Sequence, residues 1–322
     1  NYGTLLAAEK AYADILKKAA KELGDIYKTT GDYIEKLPGD ELNAFGSEWY
    51  ILGLARSGRK VFDDYYKAIE KYVSENIDEN GRLDEKRATD NAKLVLVLSA
   101  LDKDVTDVGG HDLLKALSDM DYVTQQGLSG AIYALLAFDC RGYDIPAADK
   151  NVEQTSREGL VKYILDKQLK DGGWAYSGDK AEPDMTAMAL QALAAYYKTD
   201  AKVKEEADKA VTCLSKLQNT TGGYDSYGSV NSESAAQVIT ALTALGIDPD
   251  NDARFVKNGA SVLDSLCGFY VDGGGFRHVS DGKLDPTATA QGYYALAAYY
   301  RFAGSQTALY DMTDLDTVEK AA

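Results

Sequence analysis

Lys170–Tyr197, reading KDGGWAYSGDKAEPDMTAMALQALAAYY, is the stretch on which the fold of this chain turns. It opens with a Gly-Gly-aromatic turn, continues through a polar loop, and enters a helix at Asp184-x-Thr186-Ala187 whose body, Met185–Ala195, is apolar on nearly every side. A helix with no polar face has to be buried all round, so this segment belongs to the interior. The same arrangement recurs at Gly222-Gly223-Tyr224 with Ser232-Glu233-Ser234-Ala235, and again at Gly274-Gly275-Phe276 with Asp285-Pro286-Thr287-Ala288.

Helices of a second kind lie between the copies. Val203, Ala207, Ala210, Val211, Leu214 and Leu217 form a one-sided stripe, and Lys and Glu fill the other face; such a helix covers a core from outside. Gly81, Gly127, Gly173, Gly223 and Gly275 mark steps of 46, 46, 50 and 52 residues, enough for two helices and two loops each. Six such units fit the 322 residues. The expectation is an all-α chain whose six hairpins close into a ring, inner helices parallel to one another and outer helices antiparallel to them. An open solenoid needs polar capping units, and neither end carries one. The ring is expected over 1–305, with 306–322 a C-terminal tail or a linker to a further domain.

Several local expectations accompany this plan. The N-terminus reads as two helices, Leu5–Leu23 and Ile26–Leu37, separated at Gly24. Outer helices are expected at His111–Met120, Glu153–Lys170 and Arg254–Phe269. Leu94–Leu98 has the composition of a strand, but its place in the repeat predicts a helix, Thr89–Leu101.

Composition narrows the partners. A net charge of −16 and a pI near 4.6 exclude the basic surface that nucleic acid requires, and disfavour anionic membranes. No apolar run approaches the roughly 18–20 residues that span a bilayer. The start at Asn1, with neither Met nor a signal peptide, reads as an excised module or a mature product. Cys140, Cys213 and Cys267 show no CxxC spacing and read as buried thiols, with a Cys213–Cys267 bridge as the alternative. Asp248, Asp250 and Asp252 alternate like the start of a calcium loop, but Ala253 and Gly259 stand where that loop needs Gly and Glu. A plain turn is the reading, and no metal site is expected.

The Gly-Gly-aromatic turn about ten residues ahead of Asp-x-Thr-Ala resembles the repeat of the α/α-toroid superfamily, which includes squalene-type terpene cyclases, protein prenyltransferase β subunits, complement thioester domains and cobalamin carriers. Gly246–Val279 with Asp285–Arg301 is similar to modules of bacterial cell-surface proteins known as prenyltransferase/squalene-oxidase repeats. That resemblance implies an α/α toroid of six hairpins in a secreted or surface-bound bacterial protein, a cytoplasmic setting being the alternative, and implies other domains of the same polypeptide as partners. The family's chemistry does not carry over. The chain has no Asp-x-Asp-Asp acid motif and no Asp-x-Cys zinc pair; Ala288 takes the zinc-binding His position; and Cys267-Gly268-Phe269 is not a thioester motif.

In such a ring all inner helices begin at one end, so the Gly-rich loops gather at a mouth. Trp49, Trp174, Tyr176, Tyr224, Phe276, Arg277 and His278 are the candidate ligand-binding residues there, since aromatic walls with a few polar groups make ligand pockets. Asp184, Asp285, Glu233 and His278 are the candidates for acid-base chemistry. Each has a plainer reading: an acid at a helix start caps it, worth about 0.5–2 kcal/mol, and the aromatics can plug gaps between hairpins. The expected role is non-catalytic recognition of a glycan, peptide or other small molecule, with a cobalamin-like cofactor as the one cofactor the resemblance brings in. An enzyme on the same scaffold, a polysaccharide lyase or hydrolase or a divergent cyclase, and a structural spacer are the alternatives.

Overall fold

The computed structural model describes residues 2–61 and 63–317. In chain order its helices begin with α1 (Tyr2–Glu35), α2 (Gly39–Leu42), α3 (Glu48–Arg56), α4 (Asp63–Asn76) and α5 (Ala88–Ala100). Then come α6 (Met120–Gln125), α7 (Gly127–Asp139), α8 (Arg157–Asp166) and α9 (Pro183–Leu193). The last are α10 (Ala201–Leu217), α11 (Ser232–Ala244), α12 (Val262–Cys267) and α13 (Pro286–Ala303).

The odd-numbered helices α3 to α13 are the inner ring. Each packs on the next, and α13 packs back on α3, so the ring closes without an exposed end. Composition drives this: in α5 and α11 nearly every residue is buried, Leu94–Ala100 and Ser234–Thr243 among them. Leu94–Leu98 is therefore helical, its β-branched content overridden by burial on all sides. Outer helices follow the one-sided pattern. In α10 the buried set is Val203, Ala207, Ala210, Val211 and Leu214, while Lys204–Asp208 and Lys209–Glu205 pair at 2.6 and 2.8 Å along the wet face. Asp200 caps this helix, accepting from the amides of Lys202 and Val203.

The Gly-Gly turns are the joints of the outer ring. Gly172, Gly222 and Gly274 have φ of +92°, +80° and +114°, which an L side chain rarely adopts. Space is also denied: a Cβ on Gly222 would sit 2.3 Å from Ser261 O, and one on Gly274 2.8 Å from Thr29 O. Each turn thus docks on the following outer element, and the last docks on α1. Gly275 N donates to Thr30 Oγ1 at 3.2 Å, and Tyr27 stacks on Tyr300 at 4.5 Å, so α1 closes the outer ring. Gln168 and Gln218 strengthen the joints, each donating to its own Gly carbonyl and to a carbonyl of the next outer element.

Some local expectations are corrected. The N-terminal segment is one helix, because Gly24 and Gly31 keep helical backbone; Gly31 is there for contact, a Cβ on it falling 2.4 Å from Arg59 Nε. The region 111–120 is mostly turn, with a 3-10 turn at Ala116–Ser118 before α6. The stretch 254–269 is a 3-10 turn, a two-residue ribbon (Val256–Lys257 with Ala260–Ser261) and the short α12, its start fixed by a Ser261–Asp264 capping box.

Residues 305–317 are packed. They leave α13, cross the end of the ring where the inner helices finish, and reach α7, where Met312 N donates to Cys140 O at 2.8 Å. Leu309, Tyr310 and Met312 are buried. Residues 318–322 of the expected tail lie outside the described residues. Cys140 and Cys213 are buried, Cys267 is half-buried, and all three are free thiols. Among the described residues no helix is long and apolar enough to cross a membrane.

Candidate functional site at the Gly-loop mouth

Contacts between helix starts put the Gly-rich loops at one end. Thr89 N, on α5, donates to Gln126 at the start of α7 at 3.0 Å, and Ser232 N, on α11, to His278 O at 3.1 Å.

Hydrogen bonds also set the register of the repeat. Thr186 Oγ1 accepts from Trp174 N at 2.9 Å and donates to Trp174 O at 3.1 Å. Thr289 does the same for Phe276 at 3.0 and 3.3 Å, and Asn91 accepts from Leu83 N at 3.0 Å. All three occupy the fourth position of their helix. Thr289, not Thr287, therefore matches Thr186, which makes Glu182 the counterpart of Asp285 and places Asp184, Glu233 and Thr287 at one equivalent site, the second helical position. The sequence pairing of Asp184 with Asp285 is shifted by two residues: Asp-x-Thr-Ala and Asp-Pro-Thr-Ala match in letters but not in position.

The candidates divide accordingly. Trp174, Tyr224 and Phe276 are fully buried. Trp174 Nε1 donates to Ile164 O at 2.7 Å, and these rings plug the gaps between hairpins without reaching the mouth. Arg277 braces its loop through the carbonyls of Ser280 and Tyr270, both at 3.0 Å. Asp285 caps α13, accepting from Ala288 N at 2.8 Å. Trp49 turns into the lumen, 5.8 Å from the Tyr133 ring and 5.9 Å from that of Tyr294.

Asp184, Glu233 and His278 come together over α9 and α11, and Tyr176 stands to the α8 side of them, its amide donating to Glu182 at 3.0 Å. Glu233 is not the cap of α11; Asn231 is, accepting from Ser234 N. The Glu233 carboxylate instead meets His278 Nδ1 at 2.8 Å and Ser232 Oγ at 2.9 Å. Asp184 Oδ2 accepts from Ser226 Oγ at 3.1 Å. Its Oδ1 and the hydroxyl of Ser234 are both buried without a well-formed hydrogen bond, although the two face each other. Burial pushes the Asp184 carboxyl above its ordinary value; the Ser234 and Ser226 hydroxyls oppose the rise and Glu233 adds to it.

Tyr227 escapes the sequence reading. It forms the tip of the ribbon pairing Asp225–Ser226 with Ser229–Val230, is 83% exposed, and has φ +54°. Gly228 follows at φ +85°, giving a type I′ turn in which Tyr stands where Asn or Asp is usual. Its phenol is raised chiefly by the Glu182 carboxylate, then by its small burial and by Asp184. The Ser-Tyr-Gly-Ser turn letters were the available signal. Tyr176, 72% exposed, stands over a groove of about 450 Å³ that Tyr163, Lys167 and the Ala175–Gly178 loop help to line. Below the mouth, one turn along α11 from Glu233, Gln237 donates to Gln291 and to the Tyr294 hydroxyl.

Glu48 and Asp90 belong to another part of the mouth. Burial raises Glu48 despite the Gly46 N–H it accepts, and Asp90 pairs with Arg87 and Lys93. Among the described residues no group of three His, Cys, Asp or Glu side chains could hold a metal ion. The aspartates 248–252 serve their turn: Asp248 accepts from the amides of Asp250 and Asn251.

No protein-family model and no curated protein sequence matches the chain. Among solved structures it is similar to Candida albicans protein geranylgeranyltransferase-I complexed with GGPP, at 13% identity and TM-score 0.56, covering 87% of this chain and 91% of that one. It is also similar to ent-copalyl diphosphate synthase from Streptomyces platensis, at 16% identity and TM-score 0.52, covering 81% of this chain and half of that one. The fold is the α/α toroid these prenyltransferase- and cyclase-type structures share, and the likeness extends to the fold alone.

Proposed function

We propose that the chain is a non-catalytic recognition module that binds a glycan at the Gly-loop mouth over α9, α11 and α13, within a bacterial surface or secreted protein. The observation that carries the reading is the convergence of the Asp184 carboxylate, the Glu233–His278 pair and the Ser226 hydroxyl beside the exposed Tyr227. The carboxylates of Asp184 and Glu233 and the His278 imidazole offer acceptors and a donor to ligand hydroxyls or amines, each such hydrogen bond worth about 0.5–1.5 kcal/mol net. Tyr227 supports the same assignment: a bulky residue at positive φ is strained, and strain of this kind collects at ligand clamps. Aromatic faces beside a carboxylate, hydroxyls and an imidazole suit a sugar, and the net charge of −16 turns anionic ligands away.

The test is calorimetric titration of the whole chain with neutral and amino oligosaccharides. One class should bind saturably, and Asp184→Asn, Glu233→Gln and Tyr227→Ala should each weaken it about tenfold or more. Binding that all three variants leave intact, or no binding across the panel, removes the proposal. A catalytic reading has one observation of its own, the raised Asp184 carboxyl beside Glu233. Cleavage of a bound glycan that Asp184→Asn abolishes while binding persists would replace recognition with catalysis.

A further inference from the structure

At the opposite end of the ring, residues 305–317 lie along a diameter from α13 to α7, and the opening on the α9–α11 side is not filled. A pocket of about 330 Å³ remains, walled by Leu136, Ala192, Ala244, Leu309 and Tyr310 and floored by Gln191. This lies within the size range of small-molecule sites.

Gln191 determines what the pocket accepts. The residue is 5% exposed, and its Nε2 donates to Gln237 O at 3.1 Å and to Gln237 Oε1 at 2.9 Å. Both partners are acceptors, so the amide cannot be turned round. Gln237 is fixed in turn, because its Oε1 accepts from that anchored Nε2, which leaves its own Nε2 to donate to Gln291 Oε1 at 2.9 Å and to the Tyr294 hydroxyl. The Gln191 carbonyl oxygen is left facing the pocket, with no hydrogen bond to any described residue. The two carboxylates at the rim are already engaged: Asp139 by Arg157 and Tyr196 at 2.6 and 2.7 Å, Asp311 by the Thr313 hydroxyl at 2.6 Å.

We propose that this pocket is a second binding site, independent of the Gly-loop mouth, for a small and mostly apolar molecule that carries one hydrogen-bond donor. The apolar body replaces water against the alanine and leucine walls, and the donor satisfies Gln191 Oε1. The rim carboxylates exclude anions.

Indole and indene have nearly the same shape and differ in one N–H, so titrating the whole chain with each by ligand-observed NMR isolates the donor. Indole should bind saturably and about tenfold more tightly than indene, the upper range of one neutral hydrogen bond. Ala195→Trp, on the exposed rim, should block the pocket and abolish indole binding, and Ala244→Phe should do so from inside. Failure of indole to saturate, equal binding of indene, or indole affinity unchanged in both filled variants would overturn the proposal.

Discussion

The two ends of the ring are the opposite termini of the same six helices, and they are finished in contrasting ways. Where the helices begin, unpaired N–H groups carry partial positive charge, and the residues gathered there are acidic: Glu48, Asp90, Asp184, Glu233 and Asp285. Only Asp285 among these five accepts a capping hydrogen bond as the N-cap of its helix; Glu48 and Asp90 bond close by in sequence, to the Gly46 amide and to Arg87 and Lys93, while Asp184 and Glu233 reach the loops of neighbouring units. Where the helices end, unpaired carbonyls carry partial negative charge, and two arginines in last turns, Arg56 and Arg301, answer them. Arg56 spends its donors on Leu309 O, Ala308 O, Asp311 O, Thr307 Oγ1 and Asp314, and Arg301 on Thr307 and Asp314, so the chain's own backbone is held across that end. One end gathers carboxylates among the Gly-rich loops; at the other, two arginines bind the crossing segment through many acceptors. That difference separates an end shaped by the repeated Gly-rich loops from one crossed by a segment that comes from elsewhere in the chain.

The sharpest way to break this comparison is Arg56→Met. It takes the buried guanidinium away from Leu309 O and Asp311 O, and removes one of the partners of Ala308 O and of Asp314, so a loss of about 3–5 kcal/mol is expected in urea unfolding. A loss under about 1 kcal/mol would mean that the crossing segment is not held as described. Thr186→Val should cost about 1–3 kcal/mol, because the buried Trp174 N–H loses its partner while the volume is kept. The matching Thr289→Val should cost a similar amount and Thr287→Val almost nothing, which tests the shifted register directly.

Asp184→Asn sits at the small end. Burial holds this carboxyl above its ordinary value of 3.8, so its contribution to stability is fully present below that value and is lost as pH rises through the raised one. The variant should accordingly match the natural chain near pH 3 and be slightly more stable at pH 7. Chemical unfolding at both values is the measurement, and a variant less stable at pH 7 would show that the carboxylate stabilises the fold, contrary to the role proposed for it.

The ring was legible from residues because its signals are local and repeated. Gly-Gly joints, helices apolar all round and one-sided outer helices each report their own burial, and six copies reinforce one another. Outer helices on the 254–269 side came out shorter than their periodicity because a two-residue ribbon and a capping box interrupt it. The site was legible only as a neighbourhood. Asp184, Glu233 and His278 do meet, with Tyr176 to one side, but Trp174, Tyr224 and Phe276 share the same repeat position and are buried plugs, since identical letters do not reveal which face of a turn a ring occupies. Tyr227 carried no repeat signal, and its prominence comes from a backbone angle.

Periodic burial, then, was written in the order of residues: how many units, which helices lie inside, and where the joints need glycine. Side-chain direction and long-range closure were not. The docking of α1 on the last Gly-Gly turn, the two-residue register of the helix starts, the clasp of Arg56 and Arg301 on a segment some 250 residues away from Arg56, and the orphaned Gln191 oxygen all depend on groups distant in sequence. Local pattern encodes which face of a helix avoids water, whereas a hydrogen bond between distant residues exists only after the ring has closed.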